Sequence, residues 1–409
     1  MAKNSVKLIV VGAGGYGHYY LQTLFEKYDP KEVEVVGIVE PYPDGVPILE
    51  LARQNDIPVF LQLEDLFGAK VKADLAVISS SLQYHASQVI LALQQGCHVL
   101  VEKPAAVTVQ DVDAMIEEEK KSGRWVMVGY QWSFSEAIQK LKQDILSGKF
   151  GSFLHGRTLC FWGQDDAYFG RNDWAGKQGN NFDGWILDSP AMNAMSHFLH
   201  NLLYLLGDSP ETSAIPEEIA AETYRANRIE NYDTVACKIR LQGEAPLLYY
   251  ASQVCENDVN PIFQLKFGQA TVTFHDDTGI IAEMEDGESI SYGSPEDTDQ
   301  FYKLEYAISS VQKKQLMLCG LIASRPQVLC VNSIQDGIIT VPEFPPTMVR
   351  RDNVRKRWWV DGLGEDLELC YSRYGLPSDM GFYWSANAKQ TRLVNYEFFP
   401  GGTTPKCEL

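Results

Sequence analysis

Leu8-Ile9-Val10-Val11-Gly12-Ala13-Gly14-Gly15-Tyr16-Gly17 is the stretch that decides the fold of this chain. An apolar run feeds into G-x-G-x-x-G, and an amphipathic segment, His18 to Lys27, follows. Strand, glycine turn and helix in that order suit a dinucleotide pyrophosphate. Gly12 permits the turn, Gly14 lets the backbone approach the phosphates, and Gly17 lets the helix pack on the strand, while the helix N-terminus faces the negative charge. Gly15 and Tyr16 lie within the same motif and are counted with it. A second apolar run, Val33 to Val39, ends in Glu40, placed where a carboxylate binds the adenosine ribose hydroxyls. Glu40 would repel a 2′-phosphate, and Pro41-Tyr42-Pro43-Asp44-Gly45 offers no basic residue to receive one, so NAD(H) is expected rather than NADP(H). The competing reading is a glycine turn beside a solvated strand-end acid, in a sheet that binds nothing. The unbroken order of strand, turn, helix, strand and acid argues against it.

Outward from this motif the pattern alternates. Strands are expected at 7–11, 33–39, 58–60, 74–79, 98–101 and 125–129, with helices at 16–27, 47–54, 63–67, 84–95 and 109–122. Such alternation means a parallel sheet with helices on both faces. After about residue 129 the texture changes. A helix from Glu136 to Ser147 leads into a polar and aromatic loop, Gly163 to Gly184, and then a very apolar helix, 190–206. Strands in series run from Ile219 to Tyr292, with turn signals such as Gln242-Gly243-Glu244 and Asp286-Gly287. Further helices are expected at 298–311 and around 353–373. The fold class expected is α/β: an N-terminal Rossmann doubly wound parallel sheet over residues 1–128, then a C-terminal α+β domain over 129–409 with an open, mostly antiparallel sheet.

Composition narrows the function. With 409 residues, 45% of them hydrophobic, the chain can build two cores. Lys plus Arg total 35 against 54 Asp plus Glu, a net charge of −19, which argues against nucleic acid and anionic membranes as partners. Eight irregularly spaced cysteines with no C-x-x-C pair read as reduced thiols of a cytoplasmic protein. No apolar run reaches membrane-spanning length, and the first apolar run is already the first strand rather than a signal segment.

Two constellations carry candidate chemistry. Glu102-Lys103-Pro104 closes the fifth strand, and ligands of doubly wound sheets bind beyond such strand ends. A lysine there can exchange protons near neutrality if burial and a neighbouring positive ring depress its pKa; a surface lysine paired with Glu102 is the alternative. Ser80 and His85, past the fourth strand, are counted with Glu102 and Lys103 as cofactor-binding. In the apolar helix, with Ser189 as N-cap and Pro190 at its first position, Asn193, His197, His200 and Tyr204 form one polar stripe. A polyhydroxylated substrate would give it partners, as would satisfied core packing. No further Cys, His or acid cluster completes a metal site around His197 and His200, so no metal is expected. Arg171-Asn172-Asp173-Trp174, in the preceding loop, could cap a sugar face. Arg350, Arg351, Arg355, Lys356 and Arg357, beside Trp358 and Trp359, read as a solvated basic helix end or as a contact with the cofactor domain or another subunit.

Gly12 to Gly17, Glu102-Lys103-Pro104, His197 ten residues before Gly207, and the stretches Ala73 to Pro104 and Val126 to Gln131 together resemble the Gfo/Idh/MocA family, the glucose–fructose oxidoreductase and inositol dehydrogenase type. The resemblance covers most of residues 5–290. It implies a nicotinamide cofactor, hydride exchange with a carbinol of a sugar or cyclitol, and substrate binding and oligomerisation, as homodimer or homotetramer, by the C-terminal domain. It implies that Lys103 is catalytic and that His197 acts in proton transfer. The family's Asp, four residues before that His, is Asn193 here, and Asn cannot take a proton. Asp188, nine residues before His197, is the nearest upstream acid and is expected ahead of the helix, outside its phase. The expected activity is therefore an NAD(H)-dependent oxidoreductase with Lys103, His197, Asn193 and Asp188 as catalytic residues. Two alternatives stand beside it: a redox-recycling enzyme that cleaves glycosides with a retained NAD, and a non-catalytic sugar-responsive regulator.

Overall fold

The computed structural model describes residues 5–180, 184–243, 245–313, 315–338 and 340–400. Cys407, and Glu244 of one expected turn, lie outside them. The chain forms two compact units. The first comprises the chain up to Ala106, Gln110–Phe134 and Asp299–Ser324; the second comprises Val107–Val109, Ser135–Thr298 and the chain from Arg325.

In the first unit, β1 (Val6–Val11), β2 (Val33–Val39), β3 (Val59–Phe60), β4 (Leu75–Ile78), β5 (His98–Val101) and β6 (Val126–Val128) form one parallel sheet in the order β3-β2-β1-β4-β5-β6. Between them run α1 (Gly15–Lys27), α2 (Ile48–Gln54), α3 (Leu63–Gly68), α4 (His85–Gln94) and α5 (Val109–Ser122). Every residue of β4 and β6 is buried, as a strand covered on both faces requires. The order reverses between β1 and β4, so the crevice beyond their carboxyl ends is the place for a ligand. Gly12 follows one strand and Ser79 the other.

The second unit begins with α6 (Glu136–Leu146), β7 (Phe153–Phe161), α7 (Asp166–Phe169), the short pair β8 (Gly179–Asn180) and β9 (Gly184–Trp185), and α8 (Ser196–Leu205). Then come β10 (Pro216–Tyr224), β11 (Thr234–Leu241), β12 (Pro246–Ser252), β13 (Val259–Phe267), β14 (Ala270–His275), β15 (Gly279–Met284) and β16 (Ser289–Gly293). The next helix, α9 (Tyr302–Gln312), belongs to the first unit. After it follow α10 (Leu321–Asp336), the hairpin β17 (Val349–Asp352) and β18 (Arg357–Val360), α11 (Leu363–Arg373), α12 (Pro377–Met380) and β19 (Lys389–Arg392). Nine strands form a mixed sheet, β16-β15-β14-β13-β7-β12-β11-β10-β19, in which β12 and β7 pair in parallel and the other pairs are antiparallel.

Two expectations need correction. The apolar helix starts at Ser196, not at 190. Ser189 Oγ accepts from Met192 N (3.2 Å), and Met195 N reaches back to Pro190 O (2.9 Å), so residues 189–195 form turns of their own and Asn193 precedes the helix. The segment 353–362 is not helical. Asp352 Oδ1 accepts from Val354 N and Arg355 N (2.8 and 2.9 Å), a local side-chain turn that outcompetes the helix and makes the basic run a hairpin.

As expected, the sheet of the second unit is open, with β16 and β19 as its two edges, and β12 lies near its centre. Adjacent tyrosines of β12 point to opposite faces, and each finds cover. Tyr249 donates to Met195 O (3.2 Å), while Tyr250 donates to Gly375 O (2.8 Å). Leu159, Phe161, Tyr224 and Leu248 pack with Phe344, Val360, Leu363, Leu367 and Trp384, so the C-terminal segment covers one face at its centre. Alternating buried and partly buried residues remain along β13, and both edge strands, β16 and β19, are largely exposed or partly exposed.

Candidate active site

In the first unit the glycine turn is sterically committed. Gly12 adopts φ +88°, and a Cβ there would lie 2.8 Å from Ser79 O; at Gly17 a Cβ would lie 1.8 Å from Gly12 O. Gly14 is the N-cap of α1, makes no side-chain cap bond, and the first turn, opening with Gly15 and Tyr16, carries no acid. That leaves first-turn N–H groups and the positive end of the helix dipole for an anion. Glu40, nearly buried, accepts through Oε2 from Ala13 N (2.8 Å) and Gly14 N (3.1 Å), and through Oε1 from Tyr42 N (3.1 Å). The acid expected at the ribose thus also braces the turn. Beside the turn, the buried Ser79 Oγ has no hydrogen-bond partner among the described residues. A turn that admits no Cβ, an uncapped helix start and a buried unpartnered hydroxyl fit a dinucleotide. Sequence reading missed Ser79; its place directly after the fourth strand was the available signal.

Ser80 and His85 bind within the unit. Ser80 Oγ donates to Gln88 Oε1 (2.6 Å). The His85 ring nitrogens lie 2.9 Å from Pro104 O and 3.1 Å from Ser80 O, tying the ends of β4 and β5 together. Burial holds the His85 pKa below its usual value, although those two carbonyls pull the other way. Tyr16 stacks on Phe301 (5.6 Å between ring centroids), and its hydroxyl reaches Gln300 (3.2 Å).

At the end of β5, Lys103 joins Pro104 through a cis peptide bond. The carboxylate of Glu102 has other partners: Oε1 accepts from Tyr20 (2.6 Å) and from Lys303 Nζ (2.6 Å), and Oε2 accepts from Lys103 N (3.3 Å). Lys303 also donates to Gly129 O (3.2 Å) and lies 4.7 Å from the ring centre of Tyr16. Burial pushes the Glu102 pKa up, but Lys303 and the hydrogen bonds outweigh it, and the net shift is down. No local pattern announces Lys303, 201 residues further along the chain.

In the second unit, Asp188 is brought to Asn193. Asn193 Nδ2 donates to Asp188 Oδ1 (2.9 Å), while Oδ2 accepts from Gly176 N (2.7 Å) and lies 3.9 Å from Arg171 Nη2. Leu187, one residue earlier, is held at φ +54°, a strained conformation for a leucine, with its N–H on Gln178 O (2.9 Å). Asp188 is buried, and Asn231 Nδ2 donates to its backbone carbonyl (3.0 Å). Arg171 lies over the rings of Tyr168 (3.7 Å) and Trp174 (5.0 Å), which places this loop on Asp188. Burial, then the charge of Asp188, pushes the Tyr168 hydroxyl up to about 12.

The polar stripe divides. Asn193 and His197 are half-buried, whereas His200 and Tyr204 are core. His200 stacks on Tyr204 (5.6 Å, 19°), whose hydroxyl donates to Pro210 O (3.0 Å) and whose ring carries Lys142 Nζ at 3.4 Å. Burial, and then Lys142, lowers the His200 pKa to about 3, so it is neutral at ordinary pH. Among the described residues no group of three or more His, Cys, Asp and Glu is set to hold a metal ion, and no helix is long and apolar enough to cross a membrane.

Comparison with known proteins gives the same fold. The model of an oxidoreductase family, described as having an NAD-binding Rossmann fold, matches residues 6–130. The chain is 38% identical over 84 residues to a 1-carboxy-3-chloro-3,4-dihydroxycyclohexa-1,5-diene dehydrogenase of Comamonas testosteroni, covering 20% of this chain and 21% of that protein. It is 31% identical over 161 residues to an inositol 2-dehydrogenase of Salmonella typhimurium, covering 37% and 46%. The chain spans about half or less of the length of the curated relatives it matches. The WlbA dehydrogenase of Bordetella pertussis, solved with NADH and UDP-GlcNAcA, superposes with a TM-score of 0.66 over 83% of this chain and 99% of that one. At 21% identity that likeness is one of fold.

Proposed function

We propose, from the match of residues 6–130 to the Gfo/Idh/MocA oxidoreductase family model, that the chain is an NAD(H)-dependent oxidoreductase exchanging hydride with a hydroxyl-bearing carbon of a sugar, cyclitol or sugar derivative. The observation that carries this reading is the bond between Asp188 and Asn193 (2.9 Å). The sequence lacks the family's acid at position 193, and this contact supplies a buried carboxylate beside it. Bound NAD would supply the hydride acceptor. Gly12, Gly14, Gly15 and Gly17 would hold the pyrophosphate, Glu40 the adenosine ribose, and Ser79 a polar atom of the cofactor near the turn.

For the substrate, Asn193 would orient a hydroxyl while Asp188 fixes the amide. His197 or Lys103 would take the hydroxyl proton as hydride leaves the same carbon. Dimers or tetramers, which the resemblance implies, would use the partly exposed outer strands β13 to β16.

The test follows NADH absorbance and product mass together, with NAD and a panel of sugars, polyols and aryl glycosides. Net NADH formation with one of them is expected. Lys103→Met should lower turnover by about a hundredfold or more with NAD still bound; near-normal turnover would remove Lys103 from the mechanism. Bond cleavage without net NADH would replace the proposal with a redox-recycling reaction.

A further inference from the structure

The run Arg350 to Arg357 is conspicuous in a chain of net charge −19, and nothing in the proposed reaction uses it. Most of its charge is matched. Arg350 pairs with Asp361 (3.1 Å), Arg355 lies 3.8 Å from Asp352, and Arg357 pairs with Asp258 (2.9 Å). Arg351 binds Asp166 through two N–H···O bonds, Nη1 to Oδ1 at 3.0 Å and Nη2 to Oδ2 at 2.5 Å. Arg351 and Trp358 are register partners across the hairpin, with the guanidinium 5.0 Å from the indole centre.

Against this hairpin lies a cavity of about 340 Å³. Arg351 and Trp358 form one wall, Asp166 and Phe169 of α7 another, and the loop of Asn227, Arg228 and Ile229 a third. Arg228 differs from the other arginines here. It is exposed, makes no ion pair among the described residues, and lies 5.8 Å from the indole centre of Trp358. With Asp166 engaged by Arg351, the cavity keeps an unmatched guanidinium beside an aromatic face. A guanidinium fork recognises a carboxylate or phosphate by paired N–H donors, and an indole face packs against the C–H side of a sugar ring. The volume is within the range of small-molecule sites.

Residues that follow two of these walls in the chain hold Asp188. The N–H groups of Glu230 and Asn231 both donate to Gly176 O (3.0 Å each), and Gly176 N donates to Asp188. Asn231 also binds the Asp188 carbonyl, and Arg171, two residues past Phe169 of α7, lies near the Asp188 carboxylate. The cavity and the Asp188–Asn193 pair are thus parts of one construction within the second unit.

We propose that this cavity is a subsite for an oxyanion, carboxylate or phosphate, carried by the substrate: Arg228 binds the anion, and Trp358 packs against the ring or chain that bears it. The proposal rests on the sugar reading above and narrows it to acidic or phosphorylated sugar derivatives.

The test is calorimetric titration of the full chain, saturated with NAD, with D-glucuronate, D-glucose 1-phosphate and D-glucose. At least one anionic probe should bind about tenfold or more tightly than D-glucose. Which of the two does so separates a carboxylate from a phosphate. Arg228→Met, at an exposed position, should erase that preference and leave D-glucose binding unchanged. Trp358→Phe should abolish the fluorescence change that the anionic probe produces. Equal binding of all three probes, or an anion preference that survives Arg228→Met, overturns the subsite. An Arg228-dependent preference without NADH formation from any substrate keeps the subsite and overturns the oxidoreductase reading instead.

Discussion

Lys303→Met tests whether the Glu102 pair holds the first unit together. The side chains are 1% and 11% exposed, so neither charge is offset by bulk water. Methionine keeps an apolar stem of similar length beside Tyr16 and Tyr20, so packing is nearly preserved. What is lost is the cation, with its bonds to Glu102 Oε1 (2.6 Å) and Gly129 O (3.2 Å). Stranding a buried carboxylate in this way costs about 3–5 kcal/mol. At about 2–4 °C per kcal/mol for a unit of this size, the melting temperature should fall by roughly 6–20 °C. Adding Glu102→Gln removes the stranded charge and leaves an amide oxygen for Tyr20, so the double variant should recover most of the loss, a coupling of about 2–4 kcal/mol.

Acidity provides a second signature of the same pair. In the wild type the net Glu102 shift is downward from 4.5, so its contribution is present above the unfolded pKa and is lost as pH falls through the folded one. In Lys303→Met burial dominates, the folded pKa rises above the unfolded one, and the deficit relative to wild type shrinks on acidification. Urea unfolding of wild type, both single variants and the double variant, at neutral and at mildly acidic pH, measures both effects. A single variant within about 1 kcal/mol of wild type, or a coupling near zero, would refute the reasoning.

Gly17→Ala sets a Cβ 1.8 Å from Gly12 O, so the turn must shift, and NAD affinity in a direct binding titration should fall about a hundredfold or more; unchanged affinity would remove the turn from the site. Asn193→Asp places a second carboxylate beside Asp188, so one of the two pKa values rises, and the acidic limb of the kcat/KM profile should move up by about one pH unit or more. An unmoved limb would mean that the pair does not titrate in the reaction. Asp233 is fully buried, and burial pushes its carboxyl up to about 6 against the hydrogen bonds from Asn227, Ala226 and Thr234. A raised folded pKa means that the folded state holds the proton more tightly, so stability falls as pH rises from 3.8 to about 6. At about 1.36 kcal/mol per pH unit that is about 3 kcal/mol, and Asp233→Asn should flatten this part of the stability profile.

The parallel unit was legible because its signals are local. Strands β1 to β6 and helices α1 to α5 lie within a few residues of their expected bounds, since an apolar run, a glycine turn and an amphipathic repeat each act over one turn or one strand. Where two local signals competed, the sequence misled. Ser189 and Asp352 both bond nearby backbone N–H groups, and each ended a helix that apolar content alone would extend. The stripe from Asn193 to Tyr204 was read correctly as polar, but its periodicity could not say that His200 and Tyr204 are covered by Lys142 and the 209–213 segment while Asn193 and His197 stay half-buried.

The sequence by itself determined the glycine turn, the acid after the second strand, the succession of parallel strands and helices along the first unit, and the position of Lys103 after the fifth strand. Tertiary structure alone decided that Lys303 returns to neutralise Glu102, that Asp188 meets Asn193, and that Arg228 faces Trp358. Each of these joins residues from separate elements, and no periodicity records which distant side chain will find a buried charge. A buried carboxylate or guanidinium nevertheless requires a partner, and only the folded chain shows which one it has.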